Sequence, residues 1–320
     1  MSTTPSGDAE RLLFILAVDH RASLERDLYM LTAPPTPAQA ERIVADKLLV
    51  YQGLLEATSE LSATAQPGIL IDEHYGASVA ELAGNTSGRI DLSMPVEESG
   101  QDWFTFEHGD RWQEHASLYN TSHTKVLVRD NPTYDAAKRE RQAELVAQVS
   151  AWSAANRRPL ILELLVPATP ADLQSVNGET ARYDAEVRPR LTIDVMRFLQ
   201  DRAVRPALWK VEGLDRHDDA VAVAATAQGP DADARCIILG RHASHEQLDR
   251  WLQIAAPVDG FVGFAIGRSI WWDALHSHLR HFSTATDVVQ RVRDNYLEFA
   301  RYYLLAREGR LADPSGPLMG

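Results

Sequence analysis

Eight short apolar runs, each ending in polar or glycine residues and each followed by a longer amphipathic stretch, recur along the 320-residue chain. They are LLFILAVDH from Leu12, GILIDEHYG from Gly68, RIDLSMPVEE from Arg89, TKVLVRDN from Thr124, PLILELLVP from Pro159, ALWKVEG from Ala207, CIILGR from Cys236 and GFVGFAIGR from Gly260. A strand followed by a helix, repeated about eight times, is the pattern that closes a parallel α/β barrel. Most runs are apolar at almost every position, as expected of strands covered on both faces, inside by the barrel interior and outside by helices. The predicted fold is therefore a TIM (β/α)8 barrel in one domain spanning 1–320, with the barrel at about 10–283, an extra C-terminal helix at about 284–308 and a polar tail at 309–320.

Start signals support the helices. Thr36, Pro37 and Gln39 read as a capping box with proline in the first turn, and Ser244 with Gln247 reads as a second. Ile43, Val44, Leu48, Tyr51 and Leu55 follow the first box at helical spacing. Two regions break the rhythm. Residues 84–123 hold one strand and then an aromatic, acidic insertion, DWFTFEHGDRWQEH, suited to covering a barrel mouth. The helix from Thr284 to Glu308 carries Val288, Val292, Tyr296, Phe299 and Tyr303 along one face, which suits a buried cap or a contact between copies of the chain in a homo-oligomer equally well.

A formal net charge of −13 argues against nucleic acid or an anionic membrane as partner, because the long-range field repels phosphate backbones. The first residues, MSTTPSGDAERL, show no basic segment before an apolar run, so a cytoplasmic location is expected. The single cysteine, Cys236, sits in an apolar run and reads as a small buried thiol.

Only four lysines, Lys47, Lys125, Lys138 and Lys210, accompany 28 arginines. Arginine does not lose its proton at usable pH and cannot replace an amine that must act as a nucleophile, so a lysine in an apolar strand draws attention. Lys47 and Lys138 lie in charged helical sequence and need only a composition bias to explain them. Lys210 lies between Trp209 and Val211, and strand alternation points it away from both, toward the barrel axis if Trp209 faces the helices. Burial and a neighbouring cation such as Lys125 would lower its pKa and leave some amine neutral, able to attack a ketone. The alternative is an interior ion pair with Glu212. Glu163, a carboxyl among leucines, is placed to exchange protons if its pKa is raised, or else pairs with Lys125 or Lys210. Asp19 ends the first run and can orient the amine, relay protons or cap a turn.

In such barrels the last two loops often bind phosphate. Here they offer Gly240, Arg241 and His242 after the seventh run and Gly267 and Arg268 after the eighth, with Arg129 at the end of the fourth as a further candidate for substrate. No metal site is expected. His276, His278 and His281 do not share one helix face, and neither Asp72 with His74 nor Asp19 with His20 has a recognised ligand spacing.

Taken together, LAVDHR, GILIDEHYG, TKVLVRD, LILELLVP, WKVEG, ILGRHAS and GFVGFAIGR resemble the tagatose-1,6-bisphosphate aldolase-like superfamily of class I aldolases. Within it they are most similar to the aldolase-like domain (DUF2090) fused to the 5-dehydro-2-deoxygluconokinase of inositol catabolism. The resemblance implies Lys210 as the Schiff-base lysine, Glu163 as acid/base, Lys125 as the second lysine and Asp19 as the orienting acid, with no cofactor beyond the covalent imine. It also implies a phosphorylated sugar as substrate. The tagatose-type enzymes have a small Ser-Ala-Gly stretch where this chain has Gly240, Arg241 and His242, whereas the inositol-type domains have glycine and arginine. An arginine at that position suits a substrate with one phosphate and one carboxylate, such as 6-phospho-5-dehydro-2-deoxygluconate, better than a tagatose- or fructose-type bisphosphate. A barrel that binds sugar phosphates without turnover is the competing reading. If Arg241 grips the carboxylate, Arg241→Ala raises KM for that acid by about tenfold or more, as expected for a lost charged hydrogen bond. An unchanged KM would rule the clamp out.

Overall fold

The structure, a computed structural model, describes residues 11–229, 233–240 and 243–311. Eight parallel strands close into one barrel in chain order: β1 (Leu12–Ala17), β2 (Ala65–Leu70), β3 (Asp91–Pro95), β4 (His123–Arg129), β5 (Leu160–Leu165), β6 (Leu208–Glu212), β7 (Arg235–Leu239) and β8 (Phe261–Ile266). The ring closes where β1 pairs with β8, Leu13 beside Gly263 and Leu16 beside Ile266. Seven strands fall on the apolar runs. β2 begins three residues before its predicted run, at Ala65, and includes Gln66 and Pro67. Those two conceal the strand, because Gln66 is polar and Pro67 lacks the N–H that a strand ladder uses. The Gln66 side chain is nevertheless buried and donates to the carbonyls of Gly88 and Arg89 and to Asp91, tying β2 to the start of β3.

Alternation along the strands splits the core in two. Leu13, Ile15, Ala17, Leu70, Ile161, Leu208, Ile237, Val262 and Ala265 fill the barrel interior, whereas Phe14, Leu16, Val126, Leu162, Trp209 and Ile238 face the helices. Trp209 is on the outer side, which meets the condition for its neighbour Lys210 to point inward.

Around the strands run the helices Pro37–Thr58, Glu73–Gly84, Ala136–Ala155, Arg188–Gln200, His217–Gln228, His245–Ala255 and Arg268–Leu279. Thr36 and Gln39 form the full capping box, whereas Ser244 caps through its hydroxyl alone, accepting from the Gln247 N–H. The C-terminal helix Ala285–Arg307 proves to be a buried cap. Tyr296 donates to the Phe14 carbonyl at 2.7 Å and Tyr303 to that of Phe261 at 2.9 Å, so it spans the β1–β8 seam. It also crosses helix Pro37–Thr58 so closely that a Cβ on Gly53 would lie 2.7 Å from Val292, which requires glycine there. No helix among the described residues is long and apolar enough to cross a membrane.

Lys47 departs from expectation. Rather than a bystander on a charged helix, it is fully buried and donates to the carbonyls of Val18 and His20 and to the Asp72 carboxylate. Asp72 accepts in turn from the Tyr75 N–H, capping helix Glu73–Gly84. One ammonium therefore joins a helix to the ends of β1 and β2, and Asp72 is committed to it rather than to a metal. Because removing one partner strands a buried charge, Lys47→Met should cost about 3–5 kcal/mol in urea unfolding. A loss under about 1 kcal/mol, the range of a surface pair, would contradict this account.

Candidate active site

Above the apolar floor of the barrel, toward the carboxyl ends of the strands, the inward positions turn charged. Asp19 continues the inward series Leu13, Ile15, Ala17 two residues past β1. Glu97 lies two residues past Pro95 at the end of β3 and pairs through its backbone with Phe106 of the insertion. Glu163 on β5 sits beside Lys210 on β6 in the register of the sheet. Lys125 on β4 starts lower, beside Ile161, and its long side chain climbs to the charged layer.

These five side chains meet. Lys125 Nζ lies 2.6 Å from Glu97 Oε1, 2.9 Å from Glu163 Oε2 and 3.0 Å from Asp19 Oδ2. Lys210 Nζ lies 3.0 Å from the same Glu163 Oε2. Both lysine side chains are at most 3% exposed, whereas Asp19 is 13% exposed and forms the part of the cluster nearest solvent. All four catalytic candidates are thus brought into one network. Glu212, read as an alternative partner of Lys210, accepts the Val166 N–H at 2.9 Å and lies 3.6 Å from Arg188.

The electrostatics correct two expectations. Burial disfavours the charge on Lys125, but the carboxylates of Asp19, Glu163 and Glu97 outweigh it and hold the amine well above its ordinary value. Lys125 therefore does not face Lys210 as a bare cation; it is enclosed by three carboxylates. For Glu163 burial pushes the carboxyl up, but Lys125 and Lys210 prevail and leave it below the usual range, so it rests as a carboxylate rather than as the acid expected from its leucine neighbours. Asp19 is likewise held low by Lys125 and Lys210 against its burial. Glu97 goes the other way, because burial outweighs Lys125 and Arg21. Its Oε2 is buried and has no hydrogen-bond partner among the described residues. Burial also pushes His20 down to about 3 despite Asp19, 3.9 Å away, so its imidazole stays neutral. The thiol of Cys236 is buried and pushed up, as fits an inert residue.

Glu97 lies in the third apolar run, RIDLSMPVEE, where nothing in the sequence gives it a role. The signal was present in period-2 spacing from Pro95, but the insertion that fixes it was not legible. Arg21 does the fixing: it donates to the Glu97 carbonyl at 3.0 Å and to Glu107 at 2.8 Å.

The anion-binding candidates are more dispersed. Gly267 precedes helix Arg268–Leu279 and supplies no side-chain cap, while its carbonyl accepts the Ile270 N–H at 2.8 Å. A Cβ on Gly267 would lie 2.4 Å from the Ala17 carbonyl, so only glycine permits that helix start to press on the end of β1. Arg268 lies 3.4 Å from Asp27 and over the Trp272 ring. Gly240 packs near Ile266 at the end of β7. Arg129 donates to the Gln101 carbonyl at 2.8 Å and so holds the insertion, rather than pointing a free guanidinium into the mouth. Arg241 and His242 lie outside the described residues.

With this geometry in view, comparisons with known proteins give a consistent result. Residues 2–307 match the family described as "Uncharacterized protein conserved in bacteria (DUF2090)". The chain belongs to this family. No curated protein matches it. Among solved structures it is similar to a fructose-bisphosphate aldolase from Plasmodium falciparum, with 15% identity and a TM-score of 0.62 over 93% of this chain and 91% of that one. It is also similar to a protein of Corynebacterium glutamicum, with 15% identity and a TM-score of 0.52 over 89% of this chain and 86% of that one. At such identities the likeness is one of fold: this DUF2090 chain has an aldolase-type barrel.

The carboxyls of Asp19 and Glu163 lie lower folded than unfolded, so their stabilising contribution is complete above the unfolded range, about pH 4, and fades as pH falls toward the folded values. Lys125→Met removes the shared cation, and its acid-unfolding midpoint, followed by circular dichroism, should rise by roughly one pH unit relative to wild type. An unchanged midpoint would show that Lys125 does not hold these carboxylates.

Proposed function

We propose that this barrel is a Schiff-base aldolase that cleaves a phosphorylated keto sugar acid, with 6-phospho-5-dehydro-2-deoxy-D-gluconate as substrate and dihydroxyacetone phosphate and malonate semialdehyde as products. The observation that carries this reading is the bond from the Lys210 amine to Glu163 Oε2 at 3.0 Å, in the charged layer of the barrel, with Lys125 on the same oxygen. Simple pairing would leave that layer with no purpose for the amine. An attacking amine must lose its proton, and Glu163, held as a carboxylate, stands ready to accept it.

The steps then balance without a further reactant. Lys210 Nζ adds to the ketone carbon at C5. Glu163 takes two protons from the nitrogen in turn, one before attack and one from the adduct, and passes each to the carbinolamine oxygen, which leaves as water while the iminium forms. The C3 hydroxyl proton goes to Glu163, the C3–C4 bond breaks, and its electron pair enters the iminium to give an enamine. The aldehyde that departs is malonate semialdehyde. Protonation of the enamine at C4 and hydrolysis release dihydroxyacetone phosphate and restore the amine.

In this reading Lys125 keeps Glu163 oriented and ionised, ready to accept a proton, and Asp19 keeps Lys125 in place. Phosphate is assigned to the N-terminus after Gly267, with Arg268 moving from Asp27 to the phosphate and Gly240 admitting the backbone of the neighbouring loop. The carboxylate choice rests on Arg241 and the family resemblance.

Borohydride reduction in the presence of dihydroxyacetone phosphate should leave a covalent adduct on the peptide containing Lys210, seen by mass spectrometry. Coupling triose phosphate release to a dehydrogenase should show turnover of the keto acid. Lys210→Met should lower kcat by about a thousandfold or more, and Glu163→Gln by roughly 100- to 10,000-fold. Binding of sugar phosphate with neither adduct nor turnover would replace this proposal with a non-catalytic barrel.

A further inference from the structure

The insertion between β3 and β4 brings together three side chains that lie apart in the sequence and outside the lysine network. Glu73 is the first residue of helix Glu73–Gly84, His108 precedes the turn Gly109–Arg111, and His115 lies in the short helix Trp112–Ala116. His115 Nδ1 is 3.0 Å from both Glu73 oxygens, and His108 Nε2 is 3.2 Å from Glu73 Oε2. The two imidazoles are stacked with centroids 3.5 Å apart and planes 7° apart. One ligand atom from each residue lies within 4.8 Å of the other two.

We propose that Glu73, His108 and His115 bind one divalent transition-metal ion of the zinc class, which fastens the insertion to the barrel. Two imidazoles and one carboxylate favour such an ion over calcium or magnesium, which take oxygen ligands. Zinc bonds of 2.0–2.2 Å in a tetrahedron set ligand atoms roughly 3.4 Å apart. The N···O spacings already present need to open by only a few tenths of an ångström, and the two stacked rings must tilt apart so that their in-plane lone pairs converge on the ion. The three side chains are 22–32% exposed, so an ion can enter from solvent.

A second observation points to a ligand here. A cavity of about 20 Å3, room for about one water, is lined by the three residues together with Thr121 and His123. Thr121 Oγ1 and His123 Nδ1 are buried and have no hydrogen-bond partner among the described residues. A water on the fourth position of the ion would supply that partner to either atom. The consequence reaches toward the lysine network, because Glu107, next to His108, binds Arg21, and Arg21 holds the Glu97 carbonyl.

The test uses the full chain freed of metal by chelator and dialysis, then titrated with Zn2+. One ion per chain should bind, and a Zn2+ concentration about 100 times Kd should raise Tm by about 5 °C. In the unmutated chain, bound Zn2+ should protect His108 and His115 from diethyl pyrocarbonate while leaving His217, whose side chain is 60% exposed, reactive. His108→Ala/His115→Ala should abolish the binding, and Glu73→Gln should weaken it by about tenfold or more. Absence of Zn2+ binding, or binding that leaves His108 and His115 reactive, would overturn the proposal even if the double variant failed to fold.

Discussion

The arrangement depends on the ammonium of Lys125 and the three carboxylates that enclose it. Each acid comes from a different strand or the residues just after it, Asp19 past β1, Glu97 past β3 and Glu163 within β5, and the ion pairs form only when the barrel is closed in the correct register. A buried charge is costly unless it is paired and hydrogen-bonded, so a register slip would turn these contacts from stabilising to destabilising. The same enclosure fixes the protonation of Glu163 and, through it, the environment of the Lys210 amine.

The apolar floor and the charged layer divide the work of the interior. Leu13, Ile15, Ile161, Leu208 and Ile237 fill the lower barrel, exclude water and hold the strands at fixed spacing. Above them, Asp19 past the end of β1 carries charge, as do Glu163 and Lys210, each two residues beyond a floor residue of β5 or β6. This is a direct result of parallel strands whose carboxyl ends all face one way: the same alternation that builds the core delivers the reactive groups to one end. The outer shell contributes in the same manner, with Lys47 binding the carbonyls of Val18 and His20 on either side of Asp19 and so fixing the backbone there.

Local pattern carried the fold a long way. The near-continuous apolar runs identify strands because both faces of each are buried, and β2 was misplaced only where Gln66 and Pro67 interrupt the pattern. Lys210 and Glu163 stand out because a charged side chain inside such a run has no cheap explanation. What local pattern does not hold is the sign of an electrostatic effect. Glu163 among leucines reads as a carboxyl with a raised pKa, yet lysines from β4 and β6 reverse the shift. Lys47 reads as ordinary in its helix because the atoms it binds belong to the residues that follow β1 and β2. The grouping of Glu73 with His108 and His115 is invisible for the same reason, since it depends on the path of an irregular segment with no periodicity to read.

The C-terminal helix latches the seam between the first and last strands through Tyr296 and Tyr303. During synthesis, a nascent chain that has exposed all eight strands still lacks this fastening. Until residues 296 and 303 emerge, the Phe14 and Phe261 carbonyls lack their tyrosine donors and the β1–β8 seam is held by its strand pairing alone. The final turns of that helix therefore add the last fastening to two borders that, if they parted, would be open to other chains.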